Sequence, residues 1–156
     1  MLEVGQNAPN FSLEGDDGQI HSLKDYRGKA LVVFFYPKDM TPGCTTEACE
    51  FSDLTEEFRK HGAQVVGISK DSLASHTRFR TKHGLRMPLL SDPDLAVHKQ
   101  YGAYGDKGLM GLLTGGVIRS TILIDKNGVV ARTWYKVRVT NHVKTVLEAL
   151  AKMDHT

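Results

Sequence analysis

The run Ala30-Leu-Val-Val-Phe-Phe-Tyr36, closed by Pro37, constrains this chain more than any other stretch. It offers no alternating polar residue to solvent, so it reads as a strand covered on both faces, the centre of a parallel sheet. A helix is expected over residues 42–60, where Ala48, Phe51, Leu54 and Phe58 recur at helical spacing before His61-Gly62 ends it. Residues 65–69 read as a second strand, 71–83 as a second helix stopped by Gly84, and 94–101 as a shorter third. Residues 119–125 and 129–135 read as strands joined by the hairpin turn Asp125-Lys-Asn-Gly128. Residues 141–152 close the chain as a helix with a Val143, Val146, Leu147, Leu150 stripe. Ahead of all this, residues 10–13 and 19–22 flank the turn Gly15-Asp-Asp-Gly18 as a hairpin.

This order joins a parallel βαβ half to an antiparallel ββα half. The expected fold is therefore α/β and thioredoxin-like, a central mixed sheet flanked by helices with an N-terminal β-hairpin extension. At 156 residues, with no repeat or linker, the chain reads as a single domain over 1–156. Twenty Lys and Arg against 18 Asp and Glu leave a formal charge of +2, too even for a nucleic-acid binder. No apolar run is long enough to cross a membrane. The first ten residues carry an acid at Glu3 and neither the basic leader nor the apolar core of a signal peptide. The expected compartment is the cytoplasm, where permanent disulfides are rare.

Against that background the chain's two cysteines, Cys44 and Cys49, stand out. Thr41 suits an N-cap and Pro42 the first helical position, which places Cys44 in the first turn of the expected helix. Free N–H groups and the positive end of the helix stabilise a thiolate there. Lowering a thiol pKa from about 8.5 to about 6 raises the ionised fraction roughly 30-fold at pH 7, or about 2 kcal/mol. A fast thiol reaction needs more, from donors fixed where charge develops in the transition state. Thr41, the Cys44 N–H and a cation are the candidates. Arg119, at the start of an expected core strand, is an odd charge unless it points into a cleft. Five residues along a helix set two Cα atoms about 8.7 Å apart, and a disulfide needs roughly 4.4 to 6.8 Å. Cys44 and Cys49 can bond only if the first turn unwinds. The helical wheel puts Cys44 on the buried stripe and Cys49 nearly opposite it.

The segment Pro37-Lys-Asp-Met-Thr41-Pro-Gly-Cys44 has the Pro-x-x-x-Thr-x-x-Cys pattern of peroxiredoxins. Extended to Phe35 and Cys49, it resembles the peroxiredoxin Q, or bacterioferritin comigratory protein, subfamily. Ala8-Pro-Asn-Phe, Leu90-Ser-Asp-Pro and Arg119-Ser-Thr-Ile-Leu-Ile-Asp125 support the resemblance over nearly the whole chain. It implies a thiol-dependent peroxidase acting on hydrogen peroxide and organic hydroperoxides. By the same resemblance Cys44 is the peroxidatic cysteine, oxidised to a sulfenic acid, and Cys49 the resolving cysteine of an intramolecular disulfide. Pro37 would shield the pocket, Thr41 would hydrogen-bond the peroxide, and Arg119 would hold the thiolate. Thioredoxin or a similar dithiol would recycle the disulfide, with no metal or organic cofactor and a monomeric protein expected.

Other readings are weaker. Glu47 orients Arg119, supports the helix N-terminus, or is a solvated first-turn acid. Zinc is disfavoured because the seven histidines include no His-x3–5-His pair. The glycines between 105 and 116 follow no strand and open no helix in the dinucleotide pattern, so that stretch reads as a loop. It departs from the usual family pattern around Tyr104 and Leu109, which bears on peroxide preference. A thiol–disulfide reductase would more usually carry Cys-x-x-Cys. The non-enzymatic alternative is a redox-switched binding or holdase module.

Overall fold

The structure, a computed structural model, describes residues 1–105 and 108–153. Seven strands form one sheet in the order β2-β1-β5-β4-β3-β6-β7. The strands are β1 (Ser12–Gly15), β2 (Ile20–Ser22), β3 (Ala30–Phe35), β4 (Ala63–Ser69), β5 (Leu89–Ser91), β6 (Ser120–Ile124) and β7 (Val130–Trp134). Among the described residues six α-helices accompany them: α1 (Pro42–Asp53), α2 (Thr55–Lys60), α3 (Leu73–His83), α4 (Ala96–Gln100), α5 (Leu109–Thr114) and α6 (His142–Ala151). A 3-10 turn, Leu23–Tyr26, follows β2.

All of β3 is buried, as its unbroken apolar run requires. Its even-numbered residues, Ala30, Val32 and Phe34, join a core with Phe51, Phe58 and the α6 residues Val143, Val146 and Leu150. Its odd-numbered residues, Leu31, Val33 and Phe35, join a second core with Val97, Tyr101 and Phe11. The strand's period of two thus divides one sequence run between two layers. β3 pairs parallel with β4 and antiparallel with β6, so the sheet changes sense beside its central strand. This is the thioredoxin-like arrangement, and the N-terminal hairpin extends the sheet by pairing antiparallel with β5.

Three local features differ from the sequence reading. The helix expected over 42–60 breaks at Leu54 into α1 and α2. The Thr55 hydroxyl donates to the carbonyls of Phe51 and Ser52 at 3.1 and 2.8 Å, competing with the regular helical ladder there. β5 is only three residues long, too short to show a period of its own. The stretch expected as a loop contains α5, which ends at Gly115 with φ 66°, a left-handed value suited to glycine. Residues 106 and 107 of that stretch lie outside the described residues. Among the described residues no helix is long and apolar enough to cross a membrane.

Candidate active site

β3 ends where the chain must turn into α1, and the register of β6 decides what meets it there. Phe35 pairs with Ser120, so Arg119, the residue before β6, comes level with Tyr36 at the mouth of the turn. Val137 N–H donates to the Arg119 carbonyl at 3.0 Å and fixes that backbone from the other side.

Thr41 is the N-cap of α1 and Pro42 its first residue, leaving Cys44 in the first turn with 1% of its surface exposed. Arg119 Nη2 donates to Cys44 Sγ at 3.3 Å, and Nη1 donates to Glu47 Oε1 at 2.7 Å. Glu47 lies three residues beyond Cys44, on the same helix face. It is fully buried, and its second oxygen, Oε2, has no hydrogen-bond partner among the described residues. Burial pushes the Glu47 carboxyl up to about 7 against the opposing pull of Arg119. Burial also opposes the Arg119 charge, but Glu47 and Cys44 outweigh it and hold the guanidinium's pKa above its ordinary value. Of the roles open to Glu47 in the sequence, the structure selects the buried partner of Arg119. Behind this group, His142 Nε2 lies 2.7 Å from Thr121 Oγ1. Burial, with a smaller contribution from Arg119, pushes its imidazole down to about 4.

Thr41 occupies the expected place with a different bond. Its side chain makes no capping hydrogen bond; the hydroxyl donates instead to the Lys38 carbonyl at 2.8 Å, closing the turn ahead of the helix. Cys49 is a free thiol, as is Cys44. The wheel set Cys49 opposite the buried stripe, yet it is half-buried and packs against the first core. Ser52, the buried α1 residue nearest that side, accepts from Arg86 N–H at 2.9 Å, so the segment after α3 meets the helix on a flank that a wheel drawn for a one-faced helix omits. Burial, and then the Asp53 carboxylate, push the Cys49 thiol up.

Pro37 and Arg119 line a cleft of about 350 Å³ with apolar walls from Val117, Ile118 and Val137. A wider groove of about 670 Å³ runs along α1 past Gly43, Thr46 and Glu50, but Arg119 is not among its walls. The smaller cleft therefore leads to the guanidinium that holds the sulfur. No cluster of His, Cys, Asp or Glu suited to a metal occurs among the described residues. The sequence reading missed Asp39, a buried loop carboxylate bonded to the Tyr36 hydroxyl at 2.6 Å. Its only signal was an acid set between Pro37 and Thr41 of the cysteine motif.

Comparison with known proteins agrees with this geometry. A sequence model of the AhpC/TSA family matches residues 4–133. The putative peroxiredoxin bcp of Coxiella burnetii is 48% identical over 149 residues, covering 96% of this chain and 99% of that protein. The peroxiredoxin Bcp of Bacillus subtilis is 44% identical over 153 residues, covering 98% of each. Among solved structures, peroxiredoxin Q of Xanthomonas campestris superposes with a TM-score of 0.83 at 40% identity, covering 90% of this chain and 89% of that one. A second structure of that bacterium's bacterioferritin comigratory protein, with the same TM-score and identity, was determined to explain its alkyl peroxide reduction activity. A cysteine and an arginine brought together by strand register, in a chain this similar to those proteins from end to end, make it a member of the AhpC/TSA family, in the peroxiredoxin Q or bacterioferritin comigratory protein branch, and hence a thiol-dependent peroxidase.

Proposed function

We propose that this chain reduces hydrogen peroxide and organic hydroperoxides through a cycle carried by Cys44 and Cys49. The Cys44 thiolate attacks the terminal peroxide oxygen, the O–O bond breaks, and the products are a sulfenic acid and water or an alcohol. The departing oxygen takes the proton released when the thiol ionised. Arg119 holds the sulfur and polarises the peroxide, kept in place by Glu47. The Thr41 hydroxyl donates to Lys38, so its lone pairs are left to accept the peroxide proton. Pro37 walls the cleft.

Cys49 then attacks the sulfenic sulfur, water leaves, and a disulfide forms. Both cysteines lie in one continuous helix, α1, so this step requires the first turns to unwind. Unwinding also frees Cys49 from the burial and the Asp53 charge that keep it protonated. Thioredoxin or a similar dithiol returns both thiols. Every group invoked lies within one chain, so the proposed cycle needs no second copy, and a monomer built as one domain is part of the proposal. Two free thiols held apart fit a reducing cytoplasm.

The observation that carries this reading is a guanidinium donating to a buried sulfur in the first turn of a helix. The test is a free-thiol titration with mass, taken seconds after one equivalent of hydrogen peroxide. Loss of both thiols, with a two-hydrogen mass decrease in the monomer, is expected; two unreacted thiols would overturn the cycle. Cys44→Ser should abolish peroxide consumption. Cys49→Ser should permit the first turnover and stop thioredoxin-dependent cycling.

A further inference from the structure

Asp39 stands two residues before Thr41 and five before Cys44. A loop aspartate ordinarily faces water, but the Asp39 side chain is 1% exposed and its partner, His76 on α3, is 0% exposed. Asp39 Oδ1 accepts from the Tyr36 hydroxyl at 2.6 Å. Oδ2 accepts from Ser75 Oγ at 2.8 Å and lies 2.7 Å from His76 Nδ1. The backbone is held too: Asp39 N–H donates to Asp71 Oδ2 at 2.8 Å, and Ser69 Oγ fixes that oxygen at 2.7 Å. Between this anchor and Thr41 stands Met40 with φ 70°. A residue with a side chain keeps such a left-handed value only where the chain around it is firmly fixed.

The hydrogen bonds also assign the protons. His76 Nε2 lies 2.9 Å from the Leu90 carbonyl in β5, which can only accept, so Nε2 carries hydrogen. Asp39 already receives two hydroxyl donors, the pattern of a carboxylate, so Nδ1 carries hydrogen as well. His76 is therefore an imidazolium. Burial opposes that charge, but the hydrogen bond and charge of Asp39 outweigh it and raise the imidazole above its usual range. The polar groups around the pair are Tyr36 after β3, Ser69 and Asp71 at the end of β4, and Ser75 on α3. Asp16, in the β1–β2 turn, also feels the His76 charge, and its carboxylate is taken up by Arg80 of α3.

We propose that Asp39 and His76 are the positioning pair for the turn from Thr41 to Cys44, a buried imidazolium–carboxylate clamp that ties the loop ahead of α1 to α3 and β5. The proposal rests on the reading of Cys44 as the attacking thiolate. The clamp touches neither sulfur nor cleft; it acts by holding Thr41 and the first turn of α1 where Arg119 meets them. Loss of either ring proton would set a lone pair against an acceptor, the Asp39 carboxylate or the Leu90 carbonyl, and loosen the clamp. The clamp thus places an alkaline limit on the peroxide step and marks residue 40 as the boundary beyond which the chain is free to unwind.

The experiment follows the rate constant for loss of the Cys44 thiol to hydrogen peroxide across the pH range in the full-length reduced protein. Wild type should show a fall at alkaline pH. His76→Gln should be slower by roughly ten- to a hundredfold at neutral pH and should lack that alkaline fall. A purely structural role would lower the melting temperature and leave the pH profile in place. A folded His76→Gln protein with wild-type rate and profile would overturn the proposal. If that variant does not fold, nitrogen-15 spectra of the wild-type His76 ring and the milder Ser75→Ala variant carry the test. A ring protonated on both nitrogens at neutral pH and a slower Ser75→Ala peroxide step are expected; a neutral ring or an unchanged rate would overturn the proposal. Failure of the underlying site reading looks different, because Cys44→Ser would then consume peroxide as fast as wild type.

Discussion

A carboxylate buried beneath a helix is costly unless it is fully paired, and Glu47 is paired on one oxygen only. Its carboxyl titrates near 7, raised by burial and only partly pulled back by Arg119, whereas the unfolded chain ionises it near 4.5. The folded state holds the proton more tightly, so this residue's contribution to stability is undiminished below pH 4.5 and is lost progressively as pH rises to about 7. A shift of that size corresponds to about 3 kcal/mol. His142, pushed down to about 4, acts in the opposite sense over an overlapping range. The contrast should therefore be drawn against Glu47→Gln, which keeps His142. Denaturant titrations at several pH values should show wild type losing stability relative to Glu47→Gln between pH 4.5 and 7. The same variant should slow the peroxide step about tenfold, because Arg119 loses its charged hold. Parallel pH curves for the two proteins would mean that Glu47 is ionised throughout.

At the scale of an element, the proposed cycle sets α1 two tasks that conflict: it must hold Cys44 in its first turn, and it must come apart for Cys49 to arrive. Gly43 sits in that turn without a left-handed backbone, and a Cβ there would meet Arg119 Nη2 at 3.4 Å, an ordinary contact. Gly43→Ala should therefore stabilise the folded helix by about 0.5 kcal/mol and slow disulfide closure about twofold. A thermal melt of the reduced protein and the second phase of a stopped-flow trace of Trp134 fluorescence would measure both; faster closure would contradict unwinding from this end. The helix's start was legible because Thr41, Pro42 and Gly43 are local signals. Its break at Leu54 was not, because the cause is a Thr55 hydroxyl reaching back to two carbonyls. Nor was the half-burial of Cys49, which depends on packing against a core assembled from distant parts of the chain. The same limit hid Asp39: its partner on α3, His76, is 37 residues away, and periodicity reports neighbours along the chain, not across it.

For the whole molecule, the site lies where the parallel half of the sheet meets the antiparallel half. Arg119 reaches Cys44 because β6 runs antiparallel to β3 and pairs Ser120 with Phe35. The two cores on either side of β3 are not equally exposed to the proposed cycle. Cys44, Ala48 and Phe51 of α1 all belong to the core shared with α6, and no α1 residue joins the core under α4. Unwinding the first turns of α1 therefore removes packing from one face of the sheet and leaves the other intact. Local opening of this kind costs less than global unfolding and shows in amide exchange as a confined loss of protection. Hydrogen exchange read by mass spectrometry, before and after one equivalent of peroxide, should show faster exchange in peptides spanning residues 40–53 and in the facing part of α6. Peptides from β4, β5 and α4 should exchange alike in both states. Protection lost from α4 or the N-terminal hairpin would mean that oxidation loosens the sheet itself, and the division of β3 between two independent layers would fail.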